Sequence, residues 1–252
     1  MRDLKSYSSY FYELQLSESA KSAASVLPII NELVNPKSII DVGCGVGAWL
    51  KAWKSIKKDV EVLGLDASFV DKSMLLIDSN EEFKEVDLNF KIPTFDKKFD
   101  LAMCLEVAEH LNEERADSLV LDLIHLSDII LFSAAIPGQE GTDHRNEQYL
   151  SYWVDKFESV DYKCYDIIRP QIWNENDISW WFRQNIVFFI KPGKAHKIEE
   201  LPHQSFYNLD LVHKELLQHK ISVVNKLYIL INNKKSYISK IKNFLSKCEK
   251  RI

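Results

Sequence analysis

The sequence predicts an α/β fold: a mostly parallel seven-stranded sheet with helices on both faces, an antiparallel edge hairpin and a C-terminal helical extension. Two observations predict it. Short apolar runs alternate with helical patterns as far as residue 159, which is typical of parallel strands joined by crossover helices. Two more apolar runs then follow each other closely, which indicates an antiparallel pair at the edge of the sheet.

The first elements surround a glycine-rich turn. Apolar residues at helical spacing predict a helix over 18–34, interrupted near Pro28. A short apolar run predicts a buried strand at 37–45, and the glycines that end it lead directly into a helix at 46–56. The next strand, at 61–68, ends in an acid.

The middle of the chain continues the alternation. A weaker strand is predicted at 83–88 and a strongly apolar one at 98–106. An amphipathic pattern predicts a helix at 113–126, another apolar run a strand at 128–137, and a further amphipathic pattern a helix at 146–159.

Two late strands, 162–173 and 184–192, complete the predicted sheet. A Pro- and Gly-containing boundary at 191–204 then divides the chain into a main domain, 1–195, and a basic helical extension, 196–252. Apolar residues of the extension alternate at spacings of four and three, with two lysines interrupting: Leu217, Ile221, Val224, Tyr228, Ile231, Lys235, Ile238, Lys242 and Leu245. Such a helix would pack on the body, form a homodimer or lie on an anionic membrane surface.

Composition excludes several classes of protein. The 252 residues are 46% hydrophobic, which is enough to bury a core. Four cysteines lie far apart without zinc-type spacing, and no secretory segment begins the chain, so we expect a soluble, cytoplasmic protein. Residues 211–252 carry a net charge of +8, which leaves −13 for residues 1–210. We therefore expect no nucleic-acid partner.

The turn DVGCGVG, residues 41–47, is the first functional signal. Its glycines let the backbone approach a ligand closely, while its spacing matches neither a dinucleotide fingerprint nor a phosphate loop. Asp66 ends the next strand about twenty residues later, where a carboxylate can accept both hydroxyls of a ribose. Asp87 follows the third strand, where an acid could meet an adenine amino group.

These residues resemble the class I S-adenosylmethionine (SAM) methyltransferases, which have a Rossmann-like fold. The resemblance covers about residues 37–137. It implies that the glycine-rich turn meets the methionine part of SAM, that the second acid holds the ribose and that the third lies near adenine. The residues assigned to SAM are Asp41, Gly43, Gly45, Asp66, Asp87, Leu88 and Leu105.

The segment LEVAEHL, 105–111, is the second signal. Many SAM methyltransferases carry a similar segment without a metal, and Glu106 then lies near the methionine moiety. It also resembles the small-RNA terminal 2′-O-methyltransferases, which hold a metal with such a segment and a later histidine. That resemblance implies Mg²⁺ or Mn²⁺ at Glu106, Glu109, His110 and His144. Without a metal, His144 or His110 would act as general base, and Glu109 completes the predicted catalytic group.

Two aromatic and polar segments, 133–153 and 169–185, predict the acceptor side. They resemble methyltransferases encoded among bacterial capsule and O-antigen genes. The resemblance implies O-methylation of a sugar, such as a nucleotide-linked heptose. The predicted substrate contacts are Gln139, Asn146, Trp181 and Arg183. Three alternatives remain open: a capsule phosphoramidate acceptor, RNA 2′-O-methylation, and a SAM-binding protein without catalysis.

Overall fold

The computed structural model describes residues 9–200 and 209–249, with side chains described for 17–195, 197–200 and 209–232. The strands of the sheet are β1 (Ser38–Val42), β2 (Glu61–Asp66), β3 (Phe83–Glu85), β4 (Leu101–Leu105), β5 (Ile129–Ser133), β6 (Lys163–Tyr165) and β7 (Val187–Ile190). The helices are α1 (Ser9–Val34), α2 (Ala48–Ile56), α3 (Ala116–Leu126), α4 (Leu150–Glu158), α5 (Arg169–Ile172), α6 (Trp180–Asn185), α7 (His196–Glu199) and α8 (Lys214–Glu249).

The sheet has seven strands in the order β3-β2-β1-β4-β5-β7-β6. The first five pair in parallel, whereas β7 is antiparallel to both β5 and β6. The predicted fold class is therefore confirmed. The chain order changes direction between β1 and β4, and in open sheets of this kind ligands bind at such a point, beyond the carboxyl ends of the strands.

The central strands separate two apolar cores. Along β4, Ala102 and Cys104 pack into one core, while Leu101 and Met103 pack into the other. Neighbouring side chains of a strand point to opposite faces, so a run of apolar residues without alternation reads as a strand covered on both sides. Helices α3 and α4 contribute to the first core, and α1, α2 and α6 to the second.

The prediction that Pro28 interrupts the first helix is wrong. Helix α1 continues through Pro28 to Val34. Pro28 itself is exposed, whereas Val26, Leu27 and Ile30 are fully buried on either side of it. Packing of these residues holds the segment helical, although proline removes one backbone donor.

The antiparallel edge pair is present, but the prediction of a short connection within it is wrong. Strand β6 ends at Tyr165, and residues 166–186 carry α5 and α6 before β7 begins. Pro170 stands in the first turn of α5, a position that suits proline. The aromatic run from Trp180 lies between the two predicted strands, 162–173 and 184–192. It forms α6 because Phe182 packs against Trp49 of α2, with ring centroids 5.1 Å apart.

By backbone proximity the chain divides into two compact units, Met1–Leu211 and Val212–Ile252. The predicted division at residue 195 stays a prediction, and residues 201–208 of the boundary segment lie outside the described residues. In α8, the side chains of Leu217, Ile221, Val224, Tyr228 and Ile231 are exposed; the side chains of the later seam positions lie outside the described part. No helix that the structure describes is both long and apolar enough to span a membrane. Homodimer formation and membrane association stay predictions.

Candidate active site

Acidic and hydroxyl side chains gather where the parallel strands end. Asp41 lies in β1, Asp66 ends β2, Glu106 follows β4 directly and Ser133 ends β5. These four strands are adjacent and parallel, so their carboxyl ends share one edge of the sheet. That edge is where ligands of open α/β sheets bind.

The turn between β1 and α2 depends on glycines with left-handed backbone. The φ angle is +80° at Gly43, +55° at Gly45 and +81° at Gly47. The amide of Gly43 donates a 2.8 Å hydrogen bond to the Leu65 carbonyl in β2. A Cβ atom at Gly43 would lie 2.3 Å from Val107 Cγ2, whereas one at Gly45 would meet no described atom within 4 Å. Gly45 therefore borders open space that a ligand can occupy.

Two buried acids adjoin this turn. Asp66 accepts hydrogen bonds from the Gly45 amide and the Ala67 amide, each at 2.7 Å. Burial raises the pKa of Asp66, and these two bonds oppose the shift. Burial, followed by the charge of Asp66, raises the pKa of Asp41 to about 8. Buried acids with raised pKa values cluster at functional sites, and a cationic or hydrogen-bond-donating ligand would stabilise their ionised forms.

The other residues predicted to bind SAM lie close to the strand ends in sequence. Asp87 is exposed, and its Oδ1 accepts from the backbone and side-chain nitrogens of Asn89, at 3.0 and 2.7 Å. Leu88 is buried, and its carbonyl accepts a 3.0 Å hydrogen bond from Arg115 Nε. Leu105 is buried at the end of β4. Their contacts with SAM stay predictions.

The structure brings together three of the four predicted metal ligands: Glu109, His110 and His144. Their potential ligand atoms all lie within 4.8 Å of one another. The two imidazole rings stand edge to face, with centroids 4.8 Å apart. Burial, followed by the neighbouring His144, lowers the pKa of His110 to about 4. His110 is therefore neutral at pH 7 and can offer a nitrogen lone pair to a metal.

The carboxylate of Glu109 is buried without a well-placed hydrogen-bond partner among the described residues. Its side chain is completely buried, and neither carboxylate oxygen makes a hydrogen bond of good geometry within the described part of the chain, although the amides of residues 109 and 135 lie close enough to oppose the rise in its pKa. Burial raises its pKa well above the usual range, and the nearby Glu106 carboxylate raises it further. A buried carboxylate without a partner is costly when it is ionised. A cation between Glu109 and the imidazoles would remove that cost.

Glu106 lies outside the group of three. Its Oε2 accepts a 2.8 Å hydrogen bond from Gln139 Nε2, and its Oε1 a 3.1 Å bond from Asn185 Nδ2. Its backbone is left-handed, with φ +55°. Burial raises the pKa of Glu106, and the bonds from the amides oppose this shift. The side chain is thus already engaged by amides in this structure.

The loop after β5 contains a residue that the sequence prediction missed. Glu147 Oε2 accepts from the Gly138 amide at 2.7 Å, and Oε1 accepts from the Glu140 amide and from His144 Nδ1, both at 2.8 Å. The loop is also tied to Glu109, whose carbonyl accepts from the amides of residues 145 and 146 at 2.7 and 3.0 Å. The only sequence signal for Glu147 was an acid three residues after a candidate ligand.

Two predicted substrate residues belong to this loop and are buried. Gln139 donates to Glu106 and is therefore part of the strand-end cluster. Asn146 accepts a 2.9 Å hydrogen bond from Gln148 through Oδ1, and its Nδ2 has no partner among the described residues. An unpartnered buried amide is available to a ligand oxygen.

The other two predicted substrate residues belong to α6. Trp181 is partly buried and packs against Phe182, with ring centroids 6.1 Å apart. Arg183 is buried and donates to the Trp173 carbonyl at 3.4 Å. Both side chains have structural contacts, and their contact with substrate stays a prediction.

Comparison with known proteins points to a class of enzyme. Residues 14–126 match a family model described as "Methyltransferase domain". No curated protein matches the chain significantly. The family match supports a methyltransferase, and it includes the glycine-rich turn, Asp66 and the segment that holds Glu109.

Two solved structures with TM-scores above 0.5 share this fold, and a third structure is less similar. A protein from Nostoc punctiforme PCC 73102, proposed to be an O-methyltransferase, has a TM-score of 0.52 at 11% identity over 72% of this chain and 59% of its own. An O-methyltransferase family protein from Burkholderia thailandensis has a TM-score of 0.51 at 10% identity over 73% and 60%. Human N-acetylserotonin methyltransferase, solved with SAM, has a TM-score of 0.49 at 14% identity over 72% and 54%. The chain thus spans between 54% and 60% of the length of these neighbours.

Proposed function

We propose that this methyltransferase domain transfers a methyl group from SAM to a sugar hydroxyl, with a divalent metal ion held by Glu109, His110 and His144. The observation that carries the proposal is the buried, unpartnered carboxylate of Glu109 beside two imidazoles at the strand ends. The acceptor we propose is a nucleotide-linked sugar such as a heptose, methylated in the cytoplasm during synthesis of a bacterial capsule or surface polysaccharide.

The residues around the glycine-rich turn fit SAM. Open space beside Gly45 leaves room for the ligand. Asp66 has lone pairs beyond its two amide bonds and would accept from the ribose hydroxyls. Asp41 would hold the amino group of the methionine part. When bound, SAM supplies an activated methyl group on a sulfonium.

The cluster of three also fits a divalent metal. One carboxylate and two imidazoles leave coordination positions open for substrate oxygens. Two nitrogen ligands favour Mn²⁺ over Mg²⁺, which prefers oxygen ligands. When bound, the metal lowers the pKa of a coordinated hydroxyl. Glu109 and the histidines would fix the hydroxyl beside the cofactor, and such orientation is itself a large part of catalysis.

The acceptor class rests on sequence resemblance and on the polarity of the strand-end cluster. Gln139, Asn146 and Asn185 bring amide groups close to Glu106 or to the loop that carries His144. Amide groups suit recognition of sugar hydroxyls. The cluster of three would also suit a ribose at an RNA end, but the charge of −13 on residues 1–210 does not favour RNA binding.

The experiment that tests the proposal is methyl transfer read by mass spectrometry. Nucleotide-linked hexoses and heptoses are incubated with SAM and the protein, with Mn²⁺, with Mg²⁺ or with EDTA. His144→Ala removes a ligand and should abolish the product. His125→Ala is the matched control, because His125 is exposed on α3, and should keep it.

The outcomes separate the parts of the proposal. A singly methylated sugar that disappears with EDTA supports both the acceptor class and the metal. A product that persists in EDTA keeps the acceptor class and assigns a general-base role to His144 or His110. Bound SAM with no product on any sugar overturns the sugar proposal; a phosphoramidate or RNA acceptor would then be tested next.

A further inference from the structure

The carboxylate of Glu147 is the centre of the loop that carries His144. It accepts hydrogen bonds from two backbone amides and from one imidazole nitrogen, with all three distances at or below 2.8 Å. Its side chain is 20% exposed and that of His144 12%, so solvent competes little for these bonds. One carboxylate therefore determines both the path of the loop and the orientation of the imidazole.

The backbone of this loop is strained, so hydrogen bonds to Glu147 are important for its stability. Glu140 and Asp143 have left-handed φ angles of +61° and +64°, a conformation that is unfavourable for a residue other than glycine. The amides at 138 and 140, which donate to Glu147, lie on either side of residue 139. Hydrogen bonds to a charged acceptor stabilise more than neutral ones and would offset this strain.

The contact with Glu147 also assigns the proton on His144. Backbone amides can only donate, so both Glu147 oxygens act as acceptors. His144 Nδ1 must therefore carry the hydrogen in its bond to Oε1. The lone pair of the neutral ring is then on Nε2, the nitrogen available to a metal.

Gly141 lies against the Nε2 edge of the His144 ring and leaves that edge more room than any other residue would. A Cβ atom at Gly141 would lie 2.2 Å from His144 Nε2 and 2.4 Å from Cε1. Any other residue at 141 would press on the ring edge that bears the lone pair. Glu147 and Gly141 thus act on opposite sides of the same imidazole.

We propose that Glu147 is the positioning residue of this site: it accepts the Nδ1 hydrogen of His144 and so presents Nε2 to a divalent cation shared with Glu109 and His110. The inference rests on the proposed metal site. It adds a residue that binds neither metal nor substrate and acts through His144.

The first test reads the tautomer of His144 without metal or substrate. Imidazole nitrogen NMR spectra are recorded on ¹⁵N-histidine-labelled full-length protein in EDTA at pH 8.5, and the His144 signals are assigned by their loss in His144→Ala. The wild type should show the Nδ1–H form. Glu147→Gln should shift His144 towards the Nε2–H form, whereas Glu113→Gln, a change of an exposed glutamate, should not.

The second test measures Mn²⁺ binding by calorimetry. Glu147→Gln should weaken binding roughly 10- to 100-fold, the usual range for partners of metal-bound histidines, and Glu113→Gln should leave it unchanged. Gly141→Ala should weaken binding while keeping the Nδ1–H form, because it covers only Nε2. If Glu147→Gln does not fold, the wild-type spectrum still decides, because an Nε2–H form of His144 overturns the positioning role.

The results distinguish the inference from the proposed function. Wild-type binding of Mn²⁺ that Glu147→Gln leaves unchanged, with the tautomer unchanged, overturns the positioning role and leaves the metal site standing. A wild-type protein that binds no Mn²⁺ overturns the positioning role together with the metal site. A shifted tautomer combined with weakened binding supports the inference.

Discussion

The two sides of the strand-end edge are built differently. The cofactor side, at the ends of β1 and β2, uses a short contiguous turn fixed by main-chain bonds, such as that from Gly43 to Leu65. The acceptor side, at the ends of β4 and β5, joins Glu109 and His110 to His144, more than thirty positions later in the chain. Local sequence thus determines one side, whereas the other depends on how a strained loop folds back.

The largest expected effect is on the acceptor side. Glu109→Gln removes a metal ligand and should reduce methyl transfer by ~100-fold or more, since even indirect partners of metal ligands contribute up to that amount. In EDTA the thermal midpoint should fall by less than about 3 °C, or about 1 kcal/mol, because the variant also removes an unpartnered buried carboxylate. Mass spectrometry and calorimetric melting measure the two effects. Weakened SAM binding by Glu109→Gln would show that the acceptor side also affects the cofactor side.

The next effect tests the cofactor side. Gly43→Ala would place a methyl group 2.3 Å from Val107 Cγ2 and should destabilise the protein by roughly 1–3 kcal/mol more than Gly45→Ala does. Both variants share the cost of left-handed backbone, so their difference isolates the steric clash. Urea unfolding measures it. Gly45→Ala should instead weaken SAM binding, because its methyl group enters the open space. Equal stabilities would contradict the close approach of Val107.

The two sides also differ in how far sequence could predict them. The sheet, its direction and the positions of Asp41 and Asp66 follow from periodicity and from a contiguous glycine motif. Sequence patterns do not predict that Gln139 and Asn185 donate hydrogen bonds to Glu106. They do not predict the role of Glu147 either. These contacts depend on α6 and on left-handed residues such as Glu140, which no local pattern specifies. Helix α6 was not predicted for the same reason, since it depends on the packing of Phe182 against the distant Trp49.

A smaller effect concerns pH and Asp41. Burial raises its pKa from 3.8 to about 8, so between these pH values the folded state keeps a proton that the unfolded state has lost. The free energy of unfolding therefore falls as pH rises through this window and levels off above about pH 8.

Asp41→Asn removes this dependence. Its advantage over the wild type should grow between pH 4 and pH 8.5 by an amount on the order of a few kcal/mol. Urea unfolding at pH 4, 6 and 8.5 measures it, with Asp59→Asn as the exposed control. An advantage that is constant with pH would mean that folding does not raise the pKa of Asp41.

The smallest expected effect is at Asp87. This residue is exposed, and Asn at 87 retains one acceptor oxygen for the amide of residue 89. Asp87→Asn should weaken SAM binding by less than about tenfold and change stability by less than about 0.5 kcal/mol. Calorimetry against Asp59→Asn measures the difference. A loss beyond a hundredfold would place Asp87 among the main cofactor contacts.

Residue 109 has two roles, one carried by its backbone and one by its side chain. Its carbonyl anchors the loop through the amides of residues 145 and 146, while its carboxyl group faces the imidazoles. Side-chain replacements therefore leave the anchor in place. Over evolution, or in the laboratory, the chemistry at this position can change without dismantling the loop. Residue 109 is thus a position where the ligand chemistry of the site can be varied on an unchanged backbone.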